Sequence, residues 1–250
     1  MTIRKTLKND ISDITAEQLE EIRKELFYSY QHRWHDHKGE RTRFILKSRQ
    51  IGTTYYFAWE ALEDAIITGS NQIFLCSSNG ECEIYLMYIL QFAKQYFDIE
   101  LKGDEIIELS NGALLIFWTP DSLTASHDGN VYINEPFWMT TFETINIIAS
   151  GMAAKKIHRK TYFSSLSVEN HPAYLIWNGE HYNRKNKGKD LVNIDHKIIK
   201  YGQVGLDNIW RNVVTVKDAI EQGSDLFDIA SLRNEYSQAE FNRFFMCCFN

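Results

Sequence analysis

Two short stretches hold the residue types that phosphate chemistry requires. The first is "KSRQIGTT", residues 47–54, with the apolar run "RFIL" leading in and the helix-like "TTYYFAWEALEDA" leading out. A strand that enters a glycine-containing turn ahead of a helix aims backbone N–H groups and the positive helix end at one spot, which suits a phosphate. Lys47 and Arg49 bring positive charge for β- and γ-phosphates, and Arg49 could also neutralise charge that develops in a transition state. Thr53 or Thr54, in the first helical turn, can offer a hydroxyl to Mg²⁺. The usual pattern has a lysine directly before the first Thr, where this chain has Gly52; its lysine, Lys47, stands at the front of the loop instead. On the loop alone, a plain strand–turn–helix with surface cations accounts for these residues equally well.

The second stretch is "NVYINEPFW", residues 130–138. A nucleotide hydrolase of this type places an acidic pair at the end of an apolar strand. The first carboxylate holds the Mg²⁺ shell and the second orients or deprotonates the attacking water. Glu135 occupies the second place, whereas the first is Asn134. A neutral amide can hydrogen-bond to a metal-bound water but adds no negative charge. A solvent-facing strand-end carboxylate is the plainer alternative for Glu135.

The elements that must position these residues are legible from periodicity. One helix is predicted over 15–34, with Thr15 and Gln18 at capping-box spacing and Leu19, Ile22, Leu26 and Tyr30 at helical intervals. The strand "RFILK" and the helix 53–68, stopped near Gly69, flank the loop. "NQIFLCSS" reads as a buried strand and "ECEIYLMYILQFAKQYF" as a helix. "EIIELSNGALLIFW" reads as a hairpin, because Asn111-Gly112 suits a type I′ turn. The strand "NVYIN", the helix "FETINIIASGMAA" and the strand "KTYFSSLS" follow, the last ending in small hydroxyl residues. Strands alternating with helices imply an α/β fold, a mainly parallel sheet with helices on both faces. Residues 178–207 are polar and basic and read as a loop. "NVVTVKDAIEQG" and "FDIASLRNEYSQAEFNRFF" restore strand and helix patterns, and the ending "FFMCCFN" reads as a strand cut short.

Bulk composition narrows the function classes. The 250 residues suit one large α/β domain. The net charge of −6 argues against a surface that coats nucleic acid constitutively, though a local basic groove is compatible with it. Four cysteines without CxxC spacing indicate neither a zinc site nor a disulfide framework, and the adjacent Cys247-Cys248 fits a reduced compartment. The first residues lack the apolar core of a signal peptide, and no apolar run reaches ~18 residues, so a soluble intracellular protein is expected.

The order of "YSYQHRW", "LKSRQIGTTYYFA", "VYINEPFW" and "ASGMAAKKIHRKTYFSSLS" resembles the ATPase domain of tailed-phage large terminase subunits, in the gpP-type lineage. "NHPAYLIWNGEHYNR" and the stretch 210–249 resemble later parts of that domain, so the resemblance covers nearly the whole chain. It implies a P-loop ATPase of the ASCE type that binds and hydrolyses ATP with Mg²⁺ and drives DNA into a procapsid. Gln31 would contact the adenine. Lys47, Ser48, Arg49, Gln50, Gly52, Thr53 and Thr54 would form the Walker A loop, with Arg49 a candidate arginine finger in cis. Thr53 would hold Mg²⁺, with Asn134 acting on it through water. Glu135 would be the catalytic carboxylate, and Ser164 and Ser165 the coupling motif. The implied partners are double-stranded DNA, the small terminase subunit, the portal of the procapsid and further copies of the chain in a ring. The implied setting is the bacterial host cytoplasm, with no membrane.

The resemblance divides 1–250 as one domain, with 1–35 carrying the first helix and adenine segment, 178–207 the basic loop and 208–250 the last part. Three departures stand out. Asn134 replaces an expected Asp, Asn79-Gly80 stands where relatives tend to have a basic residue, and the acidic residues of a nuclease domain do not follow "MCCFN". The last departure implies either an excised domain or a natural short relative. A second reading is therefore an impaired terminase-like protein that binds small terminase or portal and redirects or blocks packaging.

Other groups have plainer readings. His32, His35 and His37 read as a solvated patch rather than a metal site. Lys155, Lys156, His158, Arg159 and Lys160, with Arg184, Lys185, Lys187 and Lys189, could line a DNA path or simply be solvated.

Overall fold

The predicted "RFILK" strand forms β1 (Thr42–Lys47), and residues on both of its faces are buried. In the computed structural model, which describes residues 9–119, 127–167, 170–186 and 190–249, Ile45 packs into one core layer while Phe44 and Leu46 pack into the other. The same split recurs on β2 (Gln72–Leu75), where Phe74 faces one layer and Ile73 and Leu75 the other. On β5 (Asn130–Asn134), Tyr132 opposes Val131 and Ile133. Burial on both faces in a period-two alternation is the signature of a strand covered by helices on both sides.

The remaining strands are β3 (Ile106–Glu108), β4 (Leu114–Trp118), β6 (Lys160–Ser164), β7 (Gln203–Val204) and β8 (Trp210–Val214). Together they form one sheet in the order β3-β4-β2-β5-β6-β1-β8-β7. The six central strands are parallel and only the outermost pairs, β3·β4 and β7·β8, are antiparallel. β6 lies between β1 and β5, so the loop strand and the strand carrying Glu135 are separated by one extra strand, as the ASCE class requires. Register sets the ends flush, with Leu46 opposite Ser164 and Asn134 opposite Phe163.

The helices are α1 (Ala16–Leu26), α2 (Ser29–Asp36), α3 (Thr53–Thr68), α4 (Asn79–Phe97), α5 (Phe142–Met152), α6 (Pro172–Trp177), α7 (Glu180–Asn186), α8 (His196–Ile199), α9 (Val216–Glu221), α10 (Ile229–Glu235) and α11 (Gln238–Phe244). Among the described residues, no helix is long and apolar enough to cross a membrane.

Several expectations are corrected. The helix predicted over 15–34 is two helices: Phe27 is extended and packs edge-on against Tyr55 and Tyr56, and Gln31 Oε1 accepts the Tyr28 N–H to start a new turn. The Asn111-Gly112 turn is not type I′, since only Gly112 has positive φ; Asn111 instead uses its amide to bond the Ala65 carbonyl at the end of α3. Residues 178–207 are not merely a loop, because α7, α8 and β7 form within them. Lys187 and Lys189 lie outside the described residues. The ending "FFMCCFN" forms no strand among its described residues, 244–249: Phe244 closes α11 and Phe245 packs with Val216 and Phe241. His35 is paired with Glu63 at 3.0 Å and His37 stacks on Trp210, so neither is simply solvated. Of the first basic group, Arg159 is in an ion pair with the buried Asp64, and His158 and Lys155 meet Asp128.

α3 is held against the sheet by charge as well as by aromatic packing. Arg43 of β1 and Glu60 of α3 form an ion pair with no exposure on either side. The pair is completed by the Tyr56 hydroxyl donating to Glu60 at 2.7 Å and by Arg43 donating to the Trp34 carbonyl at 2.8 Å. One turn further on, Asp64 accepts from Gln72 and Asn130 at 2.9 Å. Burial alone would raise the Glu60 pKa, but the Arg43 charge and hydrogen bond outweigh it and hold the carboxyl at about 2. Leaving Arg43 buried without its partner should be expensive. Glu60→Ala is expected to lose about 3–5 kcal/mol in chemical denaturation. Because the folded pKa is depressed, the pair's contribution is complete above the unfolded carboxylate range and is lost as pH falls toward 2. The acid side of the stability profile should therefore flatten in Glu60→Gln.

Candidate functional site

A cleft of about 480 Å³ opens where β1, β5 and β6 end, and it is lined by Lys47, Arg49, Gln50, Gly52, Thr53, Thr54, Asn134, Glu135 and Ser165 among others. The loop between β1 and α3 bends through two left-handed residues, Gln50 at φ 62° and Gly52 at φ 72°. Such a conformation costs a side-chain-bearing residue about 1–2 kcal/mol, and strain of this kind concentrates at functional loops. Gly52 occupies the N-cap of α3 without a capping side chain, so the helix start faces the cleft uncapped.

Lys47 Nζ forms an ion pair with Glu135 Oε1 across the cleft floor. The other carboxylate oxygen accepts from the Ser165 N–H at 2.7 Å and from the Ser164 and Ser165 hydroxyls at 3.0 Å each. Glu135 itself sits at φ 49°, where β5 gives way to a 3-10 turn, Pro136–Trp138. Its N–H still donates to the Phe163 carbonyl of β6 at 2.9 Å, so the strained residue is anchored by backbone as well as side chain. Both carboxylate oxygens are thus engaged, one by a cation and the other by the end of β6.

Thr53 is 5% exposed and lines the cleft, and its hydroxyl has no hydrogen-bond partner. A buried orphan oxygen is costly unless something binds it, and a hydroxyl in the first turn of the helix is the donor type that Mg²⁺ takes in a phosphate site. Asn134 accepts from the Tyr85 hydroxyl at 3.0 Å and donates to Glu81 at 2.9 Å. Burial pushes the Tyr85 pKa far up, so this phenol stays protonated and acts as donor. An unpaired hydroxyl, an amide oxygen and two carboxylates around one phosphate-sized cleft fit Mg²⁺ accompanying a polyphosphate.

Two residues expected in the cleft are elsewhere. Gln31 is 2% exposed and does not line it; its Nε2 donates to the Gly52 carbonyl at 3.2 Å and lies within 3.5 Å of the Ile51 carbonyl. In this conformation Gln31 braces the loop from behind. Ser48 is fully buried, with its N–H on the Val214 carbonyl and its hydroxyl on the Arg49 carbonyl. Arg49 reaches the cleft but stacks on Phe244, with its guanidinium 3.8 Å from the ring centroid, and lies 5.2 Å from that of Trp138. Ser164 is buried behind Ser165.

The cleft also contains Tyr55, Glu81, Tyr88 and Trp138, which spacing did not flag. Tyr55 and Tyr88 form an edge-to-face pair with centroids 5.2 Å apart. The Ser78…Glu81 interval was a capping signal available in the sequence; its proximity to Asn134 was not, because that depends on β2 and β5 being neighbours.

This topology and loop define a P-loop ATPase fold. The family model described as "Terminase large subunit, T4likevirus-type, N-terminal" matches residues 44–250, and the chain belongs to that family. It is 44% identical over 251 residues to the "Terminase, ATPase subunit" of Escherichia phage P2, covering 98% of this chain and 42% of that protein. It is 41% identical over 248 residues to the "Probable terminase, ATPase subunit" of Haemophilus phage HP1, covering 98% and 40% respectively. The chain therefore spans about two fifths of the length of these curated relatives. In fold it is similar to the large terminase ATPase domain of Thermus phage P74-26, with a TM-score of 0.67 at 14% identity, covering 98% of this chain and all of that one.

The loop geometry yields a direct test. A Cβ added at Gly52 would lie 3.2 Å from Gln31 Nε2 in a left-handed backbone. Gly52→Ala should lose about 1–2 kcal/mol in thermal or chemical denaturation. Adding Gln31→Ala should not restore it, since the backbone penalty remains and the brace is gone.

Proposed function

We propose that this chain is an ATP-hydrolysing motor domain of a phage DNA-packaging terminase, which drives double-stranded DNA into a procapsid. The observation that carries this reading is the meeting of Lys47, the unpaired Thr53 hydroxyl and Glu135 in one cleft at the end of three adjacent strands. The names of the two phage relatives, both terminase ATPase subunits, support it.

In this reading Lys47, Gln50, Gly52, Thr53 and Thr54 receive the phosphates, and Arg49 joins them after leaving its aromatic seat. Thr53 and Asn134 would hold Mg²⁺, which would neutralise phosphate charge there. Glu135 orients the attacking water and takes its proton. Entry of a γ-phosphate competes for Lys47, and this frees Glu135 Oε1 to receive that water while Ser164 and Ser165 keep hold of Oε2. Any shift of the carboxylate is thereby felt at the end of β6, which is how hydrolysis would couple to movement of DNA. Gln31 acts on the nucleotide through the loop it braces. The remaining elements of the proposal are a ring of copies, docking on small terminase and portal, and operation in the bacterial host cytoplasm.

Lys47→Ala and Glu135→Ala separate the roles. Lys47→Ala should weaken ATP binding in calorimetry. Glu135→Ala should leave binding largely intact and lower hydrolysis by about 10²–10⁴-fold. Unchanged turnover in both variants would sink the assignment.

A further inference from the structure

We infer that Glu81, at the start of α4, supplies to the metal side of the cleft the negative charge that Asn134 lacks; this rests on the ATP–Mg²⁺ reading above. Tyr85 donates to Asn134 Oδ1 at 3.0 Å, and Asn134 Nδ2 donates to Glu81 Oε2 at 2.9 Å. The amide orientation is fixed by chemistry, because an ionised carboxylate only accepts and must face the NH₂. Asn134 thus holds a carboxylate at the strand-end position without carrying one itself.

Two further observations point the same way. Thr53, nineteen-twentieths buried, lines the cleft that Glu81 also lines, and its hydroxyl has no partner. Glu81 is also preorganised: Ser77 N–H donates to Oε2 at 3.0 Å and Ser77 Oγ donates to Oε1 at 2.9 Å. A carboxylate that served only to cap α4 would reach back to the N–H of the capping residue, Ser78. This one reaches Ser77 instead and meets β5 through Asn134. The pairing also accounts for the amide, since an Asp at 134 would set two carboxylates within hydrogen-bond distance and each would disfavour ionisation of the other.

Mn²⁺ and ADP serve as probes. Wild-type protein should bind ADP more tightly with Mg²⁺ than in EDTA, and should bind Mn²⁺ in the presence of ADP by electron paramagnetic resonance titration. Glu81→Gln should lose about 10–100-fold in Mn²⁺ affinity, with ADP affinity in EDTA unchanged. Adding Asn134→Asp to Glu81→Gln moves the charge back to β5 and should recover the Mn²⁺ affinity. Asn134→Asp alone should lower the Tm of the ligand-free protein, with Mg²⁺ and ADP restoring it. Wild-type Mn²⁺ affinity in Glu81→Gln, with only the Tm changed, would reduce Glu81 to a helix cap and overturn the inference while leaving the nucleotide site intact. Failure of the double variant to improve on Glu81→Gln would overturn it equally. If the wild type bound no ADP under either condition, the nucleotide reading would fall, and this inference with it.

Discussion

The buried pair of Arg43 and Glu60 is the constraint on which the cleft depends. Arg43 stands four residues before Lys47 on β1, about 13 Å along a strand, and Glu60 stands seven residues after Thr53 on α3, about 10 Å along a helix. The loop 48–52 therefore spans two elements that are locked together well below it. Aromatic packing by Tyr56 and Phe57 would hold α3 against the sheet in more than one rotation about its axis. A fully desolvated ion pair has far less freedom, because a misaligned charge there has no water to turn to. The worth of the pair lies in fixing the rotation of α3, and hence the direction in which Thr53 and the uncapped helix start point. Asp64, one turn further on, repeats the device with Gln72, Asn130 and Arg159, so the same helix is referenced to β2, β5 and the segment entering β6.

Inserting β6 between β1 and β5 has a chemical consequence. If the two strands were neighbours, Lys47 and Glu135 would sit at adjacent strand ends with nothing behind the carboxylate. With β6 between them, Ser164 and Ser165 lie behind Glu135 and hold one of its oxygens with three donors, while Lys47 holds the other. The left-handed backbone at Glu135 turns the side chain out of the sheet and toward that strand. The carboxylate is thus a junction between the phosphate loop and β6, and it cannot change partners without one of them responding.

Much of this was legible in the sequence, and the rest was hidden for identifiable reasons. The strand-loop-helix at 42–68, the buried strands and the capping box at Thr15 follow from local patterns that tertiary structure did not override. The order of segments carried the family. Spacing could not show which way a loop residue faces: Ser48 turns into the core beside Val214, and Gln31 turns its amide onto the loop carbonyls. Spacing also could not show that Glu60, Glu63 and Asp64 are all buried, because the side chains that pair with them come from β1, α2 and the turn before β6. Nor could it bring Glu81 to Asn134, since residues 53 apart in sequence meet only through the pairing of β2 with β5.

Arg49 gives the loop a link to the last part of the chain. Its N–H donates to the Phe244 carbonyl at 3.0 Å, and its guanidinium lies against the Phe244 ring near Trp138. A partly desolvated cation–π contact of this kind is worth about 1–2 kcal/mol, comparable with a single charge-assisted hydrogen bond to a phosphate. The two seats are therefore close in energy. Lys47, by contrast, is held by a carboxylate. The loop thus carries two cations of different character. Lys47 is tied to Glu135, and Arg49 to α11 and to the turn that follows Glu135. Because Trp138 Nε1 donates to the same Ser165 hydroxyl that holds Glu135, at 3.2 Å, the seat of Arg49 and the Glu135 carboxylate share a hydrogen-bonded neighbour.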